Sequence, residues 1–405
     1  MLQANPALFA ARFVTLLPVG ALAALALFAG LGNHAPARES DASDLAGLGK
    51  QLFFDTELSF NRTQSCATCH DPDHAFADPR EGAAGRAVSQ GDDGKSYTDR
   101  NAPTLTYAAL TPAFHVDSKG RYKGGQFWDG RANDLVDLMA QPILNPAEMA
   151  MPDRETVIER LRSNPGYVRQ FTELFGEGAL DDVDRGFHNM SRALAAYLET
   201  PEFMPFDSKY DRWKRGEEKL TPQEEFGYVV FITWNCHLCH MVQKQGVTER
   251  ETFTSYEYHN IGIPLNPAAR AASGKGEGYV DVGLTARPGV NDPKQAGKFR
   301  VPTLRNVAVT GPYMHNGIFE DLRTAVLFYN VYTSRLPQSR INPETGEEWG
   351  NPEVPVNLSL AELRQGLMLN DERVDALVAF METLTDRRYE PLLERQKRER
   401  KARAL

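Results

Sequence analysis

The 405 residues are 41% hydrophobic and 24% charged. That is enough apolar material for globular cores and enough length for two domains or more, which excludes a disordered or fibrous chain. A formal net charge of -9, with no part of the body of the chain concentrating Lys and Arg, excludes nucleic acid as a partner.

Residues 1–40 hold Arg12, then FVTLLPVGALAALALFAGLG, 20 residues without a charge, then polar sequence. This is the pattern of a secretion signal. The stretch is also close to bilayer-spanning length, and no clear A-x-A site follows it, so an uncleaved N-terminal membrane anchor stays open beside the cleaved signal. Both readings put the folded part outside the cytoplasm, in the periplasm.

The next segment, 41–200, opens with GKQLFF and reaches SCATCH, which carries Cys66, Cys69 and His70. Helical periodicity fits 154–164 and 190–200. Residues 201–220 read as a linker. In 221–390, Thr221, Pro222 and Glu224 spell an N-cap, a first-turn proline and a capping-box acid, so a helix leads into NCHLCH, which carries Cys236, Cys239 and His240. Residues 371–384 are again helical, and 391–405 form a basic tail. Strand-like runs are scarce.

All four cysteines fall in the two CxxCH units. Two thioether bonds need sulfurs one short turn apart, and the next His is held against the haem iron, so the spacing follows from the macrocycle. A zinc site made of two CxxC pairs, or two redox motifs, would not explain a His after each pair, nor a separation of about 170 residues. Two covalently bound c-type haems are therefore expected.

The surroundings of the motifs repeat. GKQLFF is answered by GYVVF, APTL (102–105) by VPTL (301–304), and DGRANDL (129–135) by NGIFEDL (316–322). The expected fold is mainly α, two cytochrome c-like haem domains related by duplication, with long loops and little strand. Ungapped alignment of the last pair sets Pro142 opposite Tyr329. A tyrosine can ligate iron and a proline cannot, so if that position faces the iron the second haem is closed and the first is open to peroxide. Met314, in PYMHNG, is the competing ligand, and His315 reads as a structural hydrogen-bonding residue. His74, His115, His188 and His259 receive no role.

The motifs GKQLFFD, SCATCHDPDHAF, RNAPTL, QFWDGRA, NPAEM, NCHLCH, VPTLRN and TGPYMHNG together resemble the bacterial dihaem cytochrome c peroxidase and MauG family, from Leu45 to about Asp386. The resemblance implies that His70 is the proximal ligand of the peroxide-reactive haem and His240 that of the electron-transfer haem. It implies that Glu148 is the acid-base residue and Trp128 the electron relay, and that a calcium ion is held by the Asn101 side chain and the carbonyls of Thr310 and Pro312. The second haem's other ligand is Met in the ordinary peroxidases of the family and Tyr in the MauG branch, and this chain has Tyr329. Two features depart from the ordinary peroxidases. No histidine stands shortly before RNAPTL to block the first haem, so the peroxide site should be open without prior reduction. Leu138 stands where the family commonly has Gln, with Gln141 as a substitute.

The expected function is a peroxide-dependent dihaem oxidoreductase that reduces hydrogen peroxide at an open haem with electrons relayed from a second. A small cytochrome or cupredoxin would be the donor in the peroxidase branch, and an oxidised partner protein the substrate in the MauG branch. A non-catalytic dihaem electron carrier is the alternative; it predicts two six-coordinate haems, against which Pro142 counts. A haem-based sensor would need a signalling domain, and none is visible.

Overall fold

The structure is a computed structural model that describes residues 39–403 except 235, 243–249 and 277. The apolar N-terminal stretch lies outside the described residues. Residues from Glu39 onward form one compact unit. Its helices in the first half are α1 (Glu39–Phe54), α2 (Cys66–Cys69), α3 (Leu135–Leu144), α4 (Arg154–Ser163), α5 (Pro165–Phe175) and α6 (Val183–Leu198). After α7 (Lys209–Lys214) come α8 (Pro222–Thr233), α9 (Cys236–Cys239), α10 (Pro267–Ala272), α11 (Leu322–Phe328), α12 (Asn330–Thr333), α13 (Leu360–Leu363), α14 (Asp371–Glu382) and α15 (Glu390–Arg403). The paired strands are very short. His115–Val116 pairs antiparallel with Tyr122–Lys123, and Tyr258–His259 with Phe299–Arg300. The mainly helical fold with little strand is as expected.

The duplication is visible in the packing. In the first half α1 crosses α6 so closely that a Cβ on Gly49 would lie 1.9 Å from Ala193 O. In the second, α8 crosses α14, and a Cβ on Gly227 would lie 1.9 Å from Ala376 O. Only glycine permits that approach. The same correspondence aligns α3 with α11: Asp134 and Asp321 are their N-caps, each accepting a backbone N–H. Ladder bridges Gln126–Ala132 and Tyr313–Phe319 precede them. The capping box read at Thr221 is present, with Thr221 N donating to Glu224 Oε2 at 2.7 Å.

Each half closes its own core. One contains Leu52, Phe53, Phe76, Phe171, Leu194 and Phe203; the other contains Val230, Phe231, Phe253, Leu377, Phe380 and Leu384. Two segments depart from the sequence reading. The stretch 201–220, expected as a linker, contains α7, and Tyr210 is buried in the second core. Its hydroxyl donates to Glu251, and Asp211 holds the fully buried Arg305 at 2.5 and 2.8 Å. The expected tail, 391–405, belongs from its start to α15, because Leu392 and Leu393 are apolar and pack into the same core.

Candidate active site

Two short helices, each presenting a cysteine pair and a histidine, open onto separate cavities. The one beside α2 has a volume of about 550 Å³ and the one beside α9 about 280 Å³. At the first, Ser65 N donates to Thr68 Oγ1 at 2.9 Å and His70 N donates to Cys66 O at 3.0 Å. This single turn sets Cys66, Cys69 and His70 along one wall. His70 Nδ1 lies 3.0 Å from Phe76 O. A carbonyl only accepts, so Nδ1 carries the proton and Nε2 keeps its lone pair. Burial lowers the pKa of the ring.

The second site repeats these features. His240 N donates to Cys236 O at 2.9 Å, and His240 Nδ1 lies 3.0 Å from Phe253 O. Burial takes the His240 ring down to about 4. A neutral imidazole, oriented through Nδ1 and free at Nε2, is the form that ligates a metal. Burial pushes all four thiols up to about 12. The two pairs line different cavities, so they do not converge on a four-sulfur zinc site. Trp234 Nε1 and His315 Nε2 are buried without a hydrogen-bond partner among the described residues, and both residues line the second cavity. Orphaned polar atoms around an apolar cavity, together with the cysteine pairs and the oriented histidines, fit a porphyrin with polar edge groups.

Glu148 lines the first cavity. Asn145, the C-cap of α3, takes Ala147 N on its Oδ1 and donates Nδ2 to Glu148 Oε1 at 2.5 Å, and Oε2 takes no hydrogen bond from the described residues. Burial raises the pKa of Glu148, the Arg131 guanidinium and the Asn145 amide pull it down, and Asp99 adds to the rise. Arg131 also lies 3.5 Å from the centre of the Phe127 ring. Pro142 and Leu138, on α3, line this cavity too. Gln141 does not, and its Nε2 donates to Asp137 Oδ1 at 3.3 Å instead. Not being on the cavity wall, it does not take the substitute role read for it.

In the second cavity Tyr329, the C-cap of α11, is half-buried on the wall. Burial raises its phenol, and the thiols of Cys239 and Cys236, which line the same cavity, raise it further. Met314 lines both cavities. His315 departs from its reading as a hydrogen-bonding side chain. Its ring stacks on Phe299 at 3.6 Å, and it is its backbone carbonyl that accepts, from Asn101 N at 2.8 Å. His259, given no role from sequence, lines the second cavity with Nδ1 3.2 Å from Ser359 Oγ.

Trp128 also lines both cavities, and its Nε1 donates to Asn101 O at 2.9 Å. Asn101, Thr310 and Pro312 all line the first. Asn101 Nδ2 donates to the carbonyls of Ala87 and Arg86 at 3.2 and 3.4 Å, and its Oδ1 accepts nothing from the described residues. Sequence reasoning missed Asn145, Arg131 and Arg300. The first two lie inside NPAEM and QFWDGRA, and the third immediately precedes VPTLRN, so proximity to the motifs was the available signal.

Comparison with known proteins gives the following. Residues 43–219 match the family described as di-haem cytochrome c peroxidase. The methylamine utilization protein MauG of Paracoccus denitrificans is 67% identical over 380 residues, 94% of this chain and 98% of that protein. The cytochrome c551 peroxidase of Nitrosomonas europaea is 33% identical over 85% of this chain and 80% of that one. The crystal structure of the diheme peroxidase BthA from Burkholderia thailandensis superposes with a TM-score of 0.76 at 34% identity, covering 85% and 86% of the two chains.

Proposed function

The chain belongs to the di-haem cytochrome c peroxidase and MauG family, and on that premise we propose how its residues divide the work of a peroxide-dependent dihaem oxidoreductase. Cys66, Cys69 and His70 hold the peroxide-reactive haem, and Cys236, Cys239 and His240 hold the electron-transfer haem, each covalently through the two thiols. Tyr329 is the second ligand at the latter site, in preference to Met314, because it lines the second cavity with the cysteine pair and not the first, whereas Met314 lines both. The haems supply the redox chemistry and the cleavage of the oxygen–oxygen bond.

The protein supplies orientation and proton movement. Glu148 Oε2, the oxygen that Asn145 leaves unengaged, takes the proton from one peroxide oxygen and returns it to the departing one. Arg131 keeps the carboxylate form accessible in a buried site. Pro142 lines the first cavity at the repeat position where Tyr329 lines the second, and this is the observation that carries the reading: that position holds a phenol, which can ligate, at one cavity and a proline, which cannot, at the other. Trp128 joins the two sites. Calcium is held by Asn101 Oδ1 and the carbonyls of Thr310 and Pro312, which the orientation of the Asn101 amide supports; the remaining ligands are waters.

Within the family, Tyr329 and the 67% identity to MauG favour oxidation of a residue on a partner protein over disposal of peroxide with a small redox donor. The charge-free stretch 13–32 supports a periplasmic location. Electron paramagnetic resonance before and after one equivalent of peroxide tests the whole. One high-spin and one low-spin ferric haem, both signals collapsing together, is the expected result. Two low-spin haems indifferent to peroxide would make the protein an electron carrier.

A further inference from the structure

We propose that Arg300 is the shared counter-ion of the two haems, its guanidinium binding a propionate carboxylate of each and so tying their reduction potentials together. The inference rests on the two-haem reading above. Among the described residues, six line both cavities: Trp128, Arg300, Pro302, Val307, Tyr313 and Met314. Only Arg300 among them carries a charge.

Its backbone is pinned twice, by the strand pairing of Arg300 with Tyr258 and by the bond from Arg300 N to Trp128 O at 2.8 Å. Its Nε donates to Phe127 O at 3.3 Å. The two terminal nitrogens have no hydrogen bond or ion pair among the described residues. The phenols beside it are turned elsewhere, Tyr258 to Gly124 O and Tyr256 to Thr252 Oγ1.

Three other guanidinia held in the interior each meet a carboxylate. Arg100 pairs with Asp129 and Asp281, Arg305 with Asp211, and Arg270 with Glu353. An arginine cannot escape an uncompensated site by losing its proton, so an interior guanidinium left without an acid calls for an anion from outside the polypeptide. Each haem brings two carboxylates, and a guanidinium has a fork of donors for more than one of them. Burial lowers the Arg300 pKa, with only the two phenols opposing it, in keeping with a site whose anion comes with the ligand.

A fixed positive charge at both sets of propionates favours the ferrous state of both irons. The test is potentiometric titration of R300Q and R300K, with haem per chain measured by the pyridine haemochrome. R300Q should keep two haems per chain while both ferric–ferrous equilibria move toward ferric by about tenfold, about 59 mV for one electron. R300K, which keeps the charge, should restore most of that shift. Unchanged potentials in R300Q, or a shift at one haem alone, would overturn the proposal. If R300Q fails to load haem, infrared redox difference spectra of wild type and R300K with propionate-labelled haem decide: displaced carboxylate bands support the contact, and identical bands overturn it. Wild-type potentials that follow chloride or phosphate concentration at fixed ionic strength would assign Arg300 to a free anion, again overturning it. Fewer than two haems per wild-type chain would instead sink the reading on which the inference stands.

Discussion

On the proposed mechanism Glu148 both accepts and releases a proton within one turnover, and its surroundings are opposed in a way that permits both. Burial favours the neutral acid, while Arg131 and the Asn145 amide favour the carboxylate. The net shift is upward, so the carboxylate that accepts the peroxide proton is lost as pH falls through a value above the usual carboxylate range. The rate of reaction with peroxide should fall on that acid limb. In Glu148→Gln the limb should vanish and the rate drop by about 10²–10⁴-fold, the usual worth of general acid-base catalysis, with haem content unchanged. Stopped-flow absorption across pH checks it; an unchanged rate removes Glu148 from the mechanism. At the other cavity, Tyr329→Phe keeps the ring on the cavity wall and deletes the oxygen. The low-spin ferric signal should change its ligation signature, whereas an unaltered spectrum would move the assignment to Met314.

Each haem-binding half is built around one helix crossing, and in each half that crossing depends on a glycine. A Cβ at Gly49 would strike the Ala193 carbonyl and then Tyr197 Cβ at 3.0 Å, so backbone, not a flexible side chain, would have to move. Gly49→Ala should cost about 1–3 kcal/mol, the usual range for overpacking a well-packed core. Gly47, two residues earlier on α1, is exposed with nothing within 4 Å of a Cβ. Gly47→Ala should stabilise by up to about 1 kcal/mol through helix propensity. Denaturant midpoints of the haem-loaded variants separate the two, and equal effects would mean that the crossing tolerates a methyl group. This architecture was legible in sequence because duplication leaves local copies: Gly49 with Gly227, Asp134 with Asp321, Pro142 with Tyr329. The roles of Tyr210 and Leu392 were not. A short polar segment reads as a linker, and a basic one as a tail, until Glu251, Arg305 and the second core, all distant in sequence, are seen to receive them.

Across the whole molecule the two halves are joined through polar atoms as well as through the cavity wall. Asp386 takes the Tyr107 hydroxyl at 2.6 Å and Asn306 Nδ2 at 2.8 Å, and burial raises its carboxyl to about 6. Above that pH the network holds a buried carboxylate between the halves, and its donors meet that charge on both oxygens. Closer to the chemistry, Asn101 N donates to His315 O, Trp128 Nε1 donates to Asn101 O, and Arg300 N donates to Trp128 O. Bonds from both halves therefore fix the indole where the two cavities meet, and a relay needs a fixed position more than it needs a particular hydrogen bond. Trp128→Phe keeps an aromatic ring in the wall but gives up the N–H and the more easily oxidised indole. Both resting haem signals should survive the substitution. After one equivalent of peroxide the high-spin signal should still fall promptly, while loss of the low-spin signal should lag by about tenfold or more, equivalent to about 1.4 kcal/mol of barrier. Freeze-quench electron paramagnetic resonance resolves the two. If the signals still collapse together at the wild-type rate, the oxidising equivalents cross the wall by another route, and Trp128 is a packing residue.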